Sequence, residues 1–103
     1  MNTILWSDRA RQDMRAIFAY VGQDSRVYAK RLMDRIREKV ELLKDFPGLG
    51  ATVEDWEGQN IREIQEGNYR IIYRARAELV QILTVLHAAR RLPELGKILG
   101  KDQ

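Results

Sequence analysis

Residues 69–91 read YRIIYRARAELVQILTVLHAARR, and this stretch decides the fold. Over residues 69–76, apolar and aromatic side chains alternate with a second set that contains three arginines and one isoleucine. The first set is Tyr69, Ile71, Tyr73 and Ala75, and the second set is Arg70, Ile72, Arg74 and Arg76. This period of two is typical of a strand whose two faces differ chemically. Residues 77–78 predict a tight turn, and the apolar, β-branched run 79–86 predicts a central strand covered on both faces. The sequence therefore predicts a long β-hairpin.

Two amphipathic helices are predicted before this hairpin. Apolar residues recur at helical spacing over residues 10–21 and again over residues 28–43. Ser7 and Ser25 precede these runs, and their hydroxyl groups can cap a helix N-terminus. The first helix is expected to end at Gly22, and the second to stop before the turn-forming residues 46–50, which read FPGLG. Because residues 22–25 form a short connector, the two helices are predicted to pack as an antiparallel hairpin.

The remaining segments complete a small α+β domain. Residues 3–6 and 61–65 predict two further strands, Gly67 and Asn68 predict a turn, and residues 47–60 predict an acidic loop. The segment after Pro93 is expected to form a short helix or a loose tail. The predicted order is β-α-α-β-β-β, with the helical hairpin packed on a small, largely antiparallel sheet. The whole chain, residues 1–103, is predicted to be a single domain.

Composition excludes several classes of function. The net charge of +3 and the pI near 9.4 point weakly to an acidic partner. No apolar run approaches the roughly 20 residues that span a bilayer, so no membrane association is expected. No signal peptide is visible, and the absence of cysteine excludes disulfides and thiolate metal sites. We therefore expect a cytoplasmic protein.

The candidate functional residues are His87 and the arginines of the first hairpin strand. His87 is the only histidine and has no co-ligand at metal-binding spacing, so neither a metal nor a cofactor is expected. Its structural interpretation is a partly buried residue that bonds a backbone group. The arginine row suits either a solvated sheet face or a face that a partner chain or a phosphate backbone covers. Ile72 lies in this row, and an apolar residue among arginines favours a covered face.

Two segments resemble the toxins of the ParE/RelE superfamily, which belong to bacterial type II toxin–antitoxin modules. They are residues 68–74, NYRIIYR, and residues 80–93, VQILTVLHAARRLP. The resemblance extends over nearly the whole chain, and residues 86–93, LHAARRLP, look specifically like the ParE branch. It implies the RelE/ParE-like fold, growth inhibition, a role in plasmid stabilisation, and an antitoxin as partner.

The RelE branch implies ribosome-dependent cleavage of mRNA, in which cations stabilise the charge that develops at the phosphate. Arg70 matches the third-strand arginine of that branch. Ile61 and Glu63 stand where its lysines are expected, Ala88 stands near the place of a late arginine, and no tyrosine follows Tyr73. Because some RelE relatives use histidine, the alternative nuclease site comprises Arg70, His87 and Arg90.

The ParE branch implies binding to DNA gyrase rather than catalysis. The predicted target-binding residues are Arg70, Arg74, Arg76, Arg90, Arg91 and Lys97. The implied antitoxin is small and partly disordered, with a DNA-binding N-terminal half. Its flexible C-terminal half wraps the toxin as a helix and an added strand and forms a hetero-oligomer with it. The predicted antitoxin-binding residues are Tyr28, Leu32 and Ile72. A third interpretation is a binding or scaffold protein that shares only the fold.

Overall fold

The computed structural model describes residues 2–53 and 60–89. Strand β1 (Thr3–Trp6) leads into helix α1 (Asp8–Gly22) and helix α2 (Arg26–Glu41), which continues as a 3-10 turn over Leu42–Lys44. Four strands follow: β2 (Ala51–Thr52), β3 (Ile61–Glu66), β4 (Tyr69–Arg76) and β5 (Leu79–His87). Among the described residues, no helix is long and apolar enough to span a membrane.

The five strands form one mixed sheet in the order β1-β5-β4-β3-β2. Strand β1 pairs with β5 in parallel, and the other three pairings are antiparallel. The α+β class, the helical hairpin and the largely antiparallel sheet are therefore confirmed. Strand β2 was not predicted, because its two residues lie inside the segment that the sequence marks as an acidic loop.

The helix boundaries follow from their caps. The Ser7 hydroxyl accepts a hydrogen bond from the Ala10 backbone N–H at 3.0 Å, and the Ser25 hydroxyl accepts one from the Tyr28 N–H at 3.1 Å. Both bonds satisfy a backbone donor that has no partner within its helix, as predicted for these serines. The Ser7 hydroxyl also donates to the Leu83 carbonyl at 2.9 Å, which fixes the start of α1 against β5.

The main core lies between the helices and the inner face of the sheet. Each helix buries one apolar stripe against side chains that alternate along β4 and β5. The buried residues are Ala10, Met14, Leu32, Met33, Ile36, Val40, Leu43, Ile64, Ile71, Tyr73, Ala75, Val80, Ile82 and Val85. Burying each large aliphatic side chain is worth about 1.5–3 kcal/mol, so this cluster holds the two layers together.

A second cluster lies on the outer face of the sheet, opposite the helices. This outer-face cluster consists of the buried residues Val53, Ile61, Ile72, Leu83 and Leu86. The alternation predicted for β4 is correct, because Ile72 lies on this face with Arg70, Arg74 and Arg76. The interpretation of Ile72 as an apolar residue left for a partner to cover is wrong. Ile72 is 0% exposed and belongs to one buried cluster with the other four members.

Strand β5 contains a β-bulge that the sequence did not reveal. Ile72 pairs with Thr84 and Tyr73 pairs with Ile82, so Leu83 is the extra residue. Helix α1 supplies the hydrogen bonds that this irregularity requires: one carboxylate oxygen of Asp13 accepts from the Thr84 hydroxyl and, at 3.0 Å, from the Val85 backbone N–H. Asp13 therefore joins α1 to the bulge.

Candidate functional site

The arginine row of β4 does not present three free cations. The Arg70 guanidinium donates to the Glu63 carboxylate from Nε at 2.6 Å and is also ion-paired to it through Nη2. The Arg70 side chain is only 14% exposed. This pairing arises because Glu63 lies on the neighbouring strand β3, opposite Ile72 and on the same face as Arg70. Glu63 therefore neutralises Arg70 within the sheet.

The other arginines of the row differ in exposure. Arg74 is half-buried in the middle of β4, and Arg76 is exposed at the end of the strand. Arg76 is thus the β4 arginine most accessible to a partner. The predicted target-binding residues Arg90, Arg91 and Lys97 lie outside the described residues.

His87 lies at the end of β5, on the other face of the sheet. Its ring packs edge-to-face on Tyr69, with centroids 5.5 Å apart and an interplanar angle of 79°. The backbone N–H of Ala89 donates to His87 Nδ1 at 3.1 Å. The predicted bond to a backbone group is therefore present. The predicted partial burial is wrong, because His87 is exposed in the last residue pair between β4 and β5.

The alternative nuclease residues are separated by the sheet. Tyr69 pairs with His87, and the next residue, Arg70, pairs with Leu86. Successive side chains of a strand point to opposite faces, so Arg70 lies on the outer face while His87 lies with Tyr69 on the helix side. A single phosphate cannot contact both side chains in this arrangement, and Arg90 falls outside the described residues.

The predicted antitoxin-binding residues do not lie on one surface. Tyr28 is 51% exposed on α2, and the Arg35 guanidinium lies 5.6 Å from its ring centroid, within the range of a cation–π contact. Leu32 is 2% exposed because it lies on the core side of α2, and Ile72 belongs to the outer-face cluster. The expectation that Leu32 and Ile72 offer surface to a partner is therefore wrong.

A groove between α1 and α2 was not predicted from the sequence. This helix groove has a volume of about 510 Å³ and is lined by Trp6, Arg11, Met14, Arg15, Phe18, Lys30, Met33, Asp34 and Arg37. Its apolar side chains are bordered by four basic residues and one acidic residue. The basic residues of each helix are visible in the sequence, but only the packing of α1 against α2 brings them together along one groove.

A second cleft lies on the other flank of α1. It has a volume of about 400 Å³ and is lined by Asp13, Ala16, Ile17, Tyr20, Tyr69, Val85, Leu86 and His87. Burial raises the pKa of the Tyr69 hydroxyl, and the neighbouring Tyr28 and Tyr20 raise it further. Tyr69 is therefore a neutral hydrogen-bonding group at physiological pH rather than a proton acceptor.

Within residues 2–53 and 60–89, no cluster of His, Cys, Asp or Glu could hold a metal ion. The arrangement offers two docking surfaces instead. The helix groove has an apolar floor and a mostly basic border, and the outer face of the sheet has an arginine row around a buried apolar cluster. An apolar surface bordered by charged residues is typical of sites that bind a macromolecule.

The comparisons with known proteins agree with this description. The family model described as "ParE toxin of type II toxin-antitoxin system, parDE" matches residues 4–92. Toxin RelE2 from Caulobacter vibrioides is 32% identical over 91 residues, which cover 87% of this chain and 99% of that protein. A solved structure of the chromosomal ParDE TA system from P. aeruginosa has a similar fold, with a TM-score of 0.68. It shares 23% sequence identity over 84% of this chain and 96% of that chain.

The fold, with its helical hairpin on a five-stranded mixed sheet, and the family match define the class of protein as a toxin of a type II toxin–antitoxin system. Within that class, the chain belongs to the ParE toxin family. Membership of this family implies a cognate antitoxin as partner.

Proposed function

We propose that the chain arrests growth by binding DNA gyrase and stabilising the intermediate in which the DNA is broken. The observation that carries this proposal is the position of Arg70. It is paired with Glu63 on one face of the sheet, and His87 lies on the other face. A nuclease needs its cations and proton-transfer groups around one phosphate, whereas a binding toxin needs only a surface.

The proposed gyrase contacts on the outer face are exposed Arg76 and half-buried Arg74. Arg90, Arg91 and Lys97 lie outside the described residues and are proposed as contacts from the sequence alone. Arg70 is not proposed as a direct contact, because breaking its pair with Glu63 would leave a partly buried carboxylate without its cation. Since gyrase acts in the cytoplasm, we also propose that the protein acts there.

A supercoiling assay with purified gyrase tests this function. The purified toxin should inhibit supercoiling and leave cleaved DNA after denaturation of the complex. The matched variant Arg76→Ala should inhibit less at the same concentration. A control variant, Arg31→Ala, removes an exposed arginine of α2 away from the sheet and should behave as the unsubstituted toxin. Full supercoiling activity at saturating toxin would refute the proposal.

We propose that the antitoxin binds in the helix groove through an amphipathic helix. Phe18 is 41% exposed at the groove, and Tyr20, Val27 and Tyr28 extend the exposed apolar surface around the helical hairpin. A groove with apolar lining between two helices is the kind of surface that receives one face of an amphipathic helix, with apolar anchors at helical spacing. Four basic residues at its border favour an acidic segment.

The RelE-like nuclease is the second candidate function. The curated relative carries the name Toxin RelE2, and the exposed ring of His87 is accessible to a partner. In this alternative the toxin would cut mRNA on the ribosome with Arg70, His87 and Arg90. Cleavage of mRNA on programmed ribosomes, lost in His87→Ala, would favour this alternative over gyrase binding.

A further inference from the structure

The charges along the helix groove are not uniform. Arg11 and Arg15 line it from α1, and Lys30 and Arg37 line it from α2. Asp34 is the one acidic residue among the described residues that line the groove. It lies in the middle of the α2 wall, one turn after Lys30 and one turn before Arg37.

Asp34 is available to a partner. Among the described residues it forms an ion pair with Arg37, at 3.8 Å between Oδ1 and Nη1, and the side chains of Asp34 and Arg37 are 56% and 61% exposed. Such an exposed, long pair contributes little and exchanges readily with other partners. A cation that docks opposite Asp34 therefore displaces a weak contact rather than a strong one.

An acidic helix that binds in this groove is attracted at some positions and repelled at one. Carboxylates opposite Arg11, Arg15 or Lys30 are attracted, whereas a carboxylate opposite Asp34 faces a like charge as water is excluded. Like-charge contact at an interface penalises a wrong partner, and this is a common source of specificity. The position opposite Asp34 thus selects against a uniformly acidic segment.

We infer that Asp34 is a specificity-determining residue of the helix groove. The groove accepts an antitoxin helix that is acidic overall and carries one lysine or arginine opposite Asp34. This inference rests on the proposed binding of the antitoxin in the groove. It adds a charge rule by which this toxin distinguishes its own antitoxin from an otherwise similar acidic helix.

The test compares two substitutions that change the charge of α2 equally. Asp34→Lys reverses the charge inside the groove. Glu38→Lys makes the same change one turn further along α2, at an exposed residue that does not line the groove. Each full-length toxin is titrated by calorimetry with the antitoxin encoded beside it, at about 0.15 M salt so that distant charges are screened.

Asp34→Lys should lower the affinity by roughly fivefold or more, since an attraction becomes a repulsion. Glu38→Lys should leave the affinity unchanged or raise it slightly, because the partner is acidic overall. Charge reversal of one basic antitoxin residue to glutamate should restore binding to the Asp34→Lys toxin. That rescue is a result that a merely structural effect of Asp34 would not produce.

An affinity that is unchanged or raised by Asp34→Lys would overturn the inference, because it would show a uniformly acidic occupant. An equal loss in Glu38→Lys, or the failure of every basic antitoxin residue to give rescue, would overturn it as well. Phe18→Ala tests the proposed antitoxin site separately, because a loss of affinity in this variant supports the site even where the charge rule fails. If the unsubstituted toxin binds the antitoxin with the groove left open, both the proposed site and the inference are wrong.

Discussion

The hydroxyl group of Tyr73 fixes the loop that joins α2 to the sheet. Tyr73 lies in the centre of β4 and is fully buried. Its hydroxyl donates to the Pro47 carbonyl at 2.8 Å and accepts from the Gly50 N–H at 2.9 Å. The Gly50 carbonyl in turn accepts from Arg62 Nη1 at 2.9 Å. Two backbone groups of the loop that would otherwise need water are therefore satisfied by one side chain.

Gly50 has no room for a side chain. A Cβ atom there would lie 2.6 Å from the Glu63 carbonyl oxygen and 2.8 Å from the Tyr73 ring and hydroxyl. Gly50→Ala should therefore lower the free energy of unfolding by about 1–3 kcal/mol through overpacking. Gly48→Ala is the matched control, because nothing lies within 4 Å of the Cβ position at Gly48. Chemical denaturation of the two variants checks this, and equal stability would contradict it.

Tyr73 also predicts an alkaline limit to stability. Burial raises its pKa above 10.0, while the Gly50 hydrogen bond and the nearby Arg62 lower it in part. A raised pKa in the folded state means that the stabilisation is complete below the pKa of the unfolded state and is lost as pH rises through the folded pKa. The free energy of unfolding should therefore fall above about pH 10.

The variant Tyr73→Phe isolates this effect. At neutral pH it should cost about 1–3 kcal/mol, because the Gly50 N–H and the Pro47 carbonyl lose their partner. Above pH 10 it should lose less further stability than the unsubstituted protein. Parallel pH dependences of the two proteins, measured by urea unfolding, would show that Tyr73 does not titrate in this way.

At the scale of elements, helix α1 and strand β5 depend on one another. Asp13 accepts hydrogen bonds at the bulge of β5, and Arg9 lies 3.3 Å from its other carboxylate oxygen. The bulge changes the direction of the end of β5, where His87 and the second cleft are located. Asp13 is therefore a structural connector and not an exposed charge.

Removal of this connector should be costly. Asp13→Ala leaves the Thr84 hydroxyl and the Val85 N–H without their acceptor in a part-buried setting, which should cost about 1–3 kcal/mol. The comparison variant Glu38→Ala removes an exposed acid of α2 and should change stability by about 0.5 kcal/mol or less. Thermal unfolding distinguishes them, and a mild effect of Asp13→Ala would mean that water replaces the carboxylate.

The segment that follows β5 is predicted to serve the target more than the fold. Arg90→Ala combined with Arg91→Ala should reduce growth arrest while changing the free energy of unfolding by about 0.5 kcal/mol or less. The double variant Arg26→Ala with Arg31→Ala removes the same charge from exposed positions of α2 and should keep its toxicity. Growth after induction is measured beside unfolding. An unfolded Arg90/Arg91 variant would identify these arginines as structural.

The period of two and the helical stripes were sufficient to predict the hairpin, the two helices and their serine caps. They also placed Arg70, Ile72, Arg74 and Arg76 on one face.

The period of two predicts on which face of the sheet a side chain lies but not what covers that face, so it did not predict the burial of Ile72. The bulge was hidden because Leu83 lies in an unbroken apolar run. The Glu63–Arg70 pair depends on the register of β3 against β4, and the helix groove depends on how α1 packs against α2. A local sequence pattern predicts neither of these.

At the scale of the whole molecule, two surfaces lie on opposite sides of one sheet. The helix groove is on the side of α1 and α2, and the arginine row of β4 is on the outer face. If the antitoxin occupies the groove and the target contacts the outer face, neutralisation needs a segment that reaches round the sheet or a contact that both partners share. The separation of Arg70 from His87 across the same sheet argues against a single catalytic centre.

The most direct measurement maps mRNA ends by primer extension on programmed ribosomes, at a toxin concentration that halves supercoiling by gyrase. If the toxin acts by binding gyrase, the unsubstituted toxin should give no codon-positioned cleavage. The variant Glu63→Ala should give none either, because release of Arg70 does not bring His87 to its face of the sheet. Codon-positioned cleavage that Arg70→Ala or His87→Ala abolishes, with gyrase unaffected, would show that the toxin is a nuclease instead.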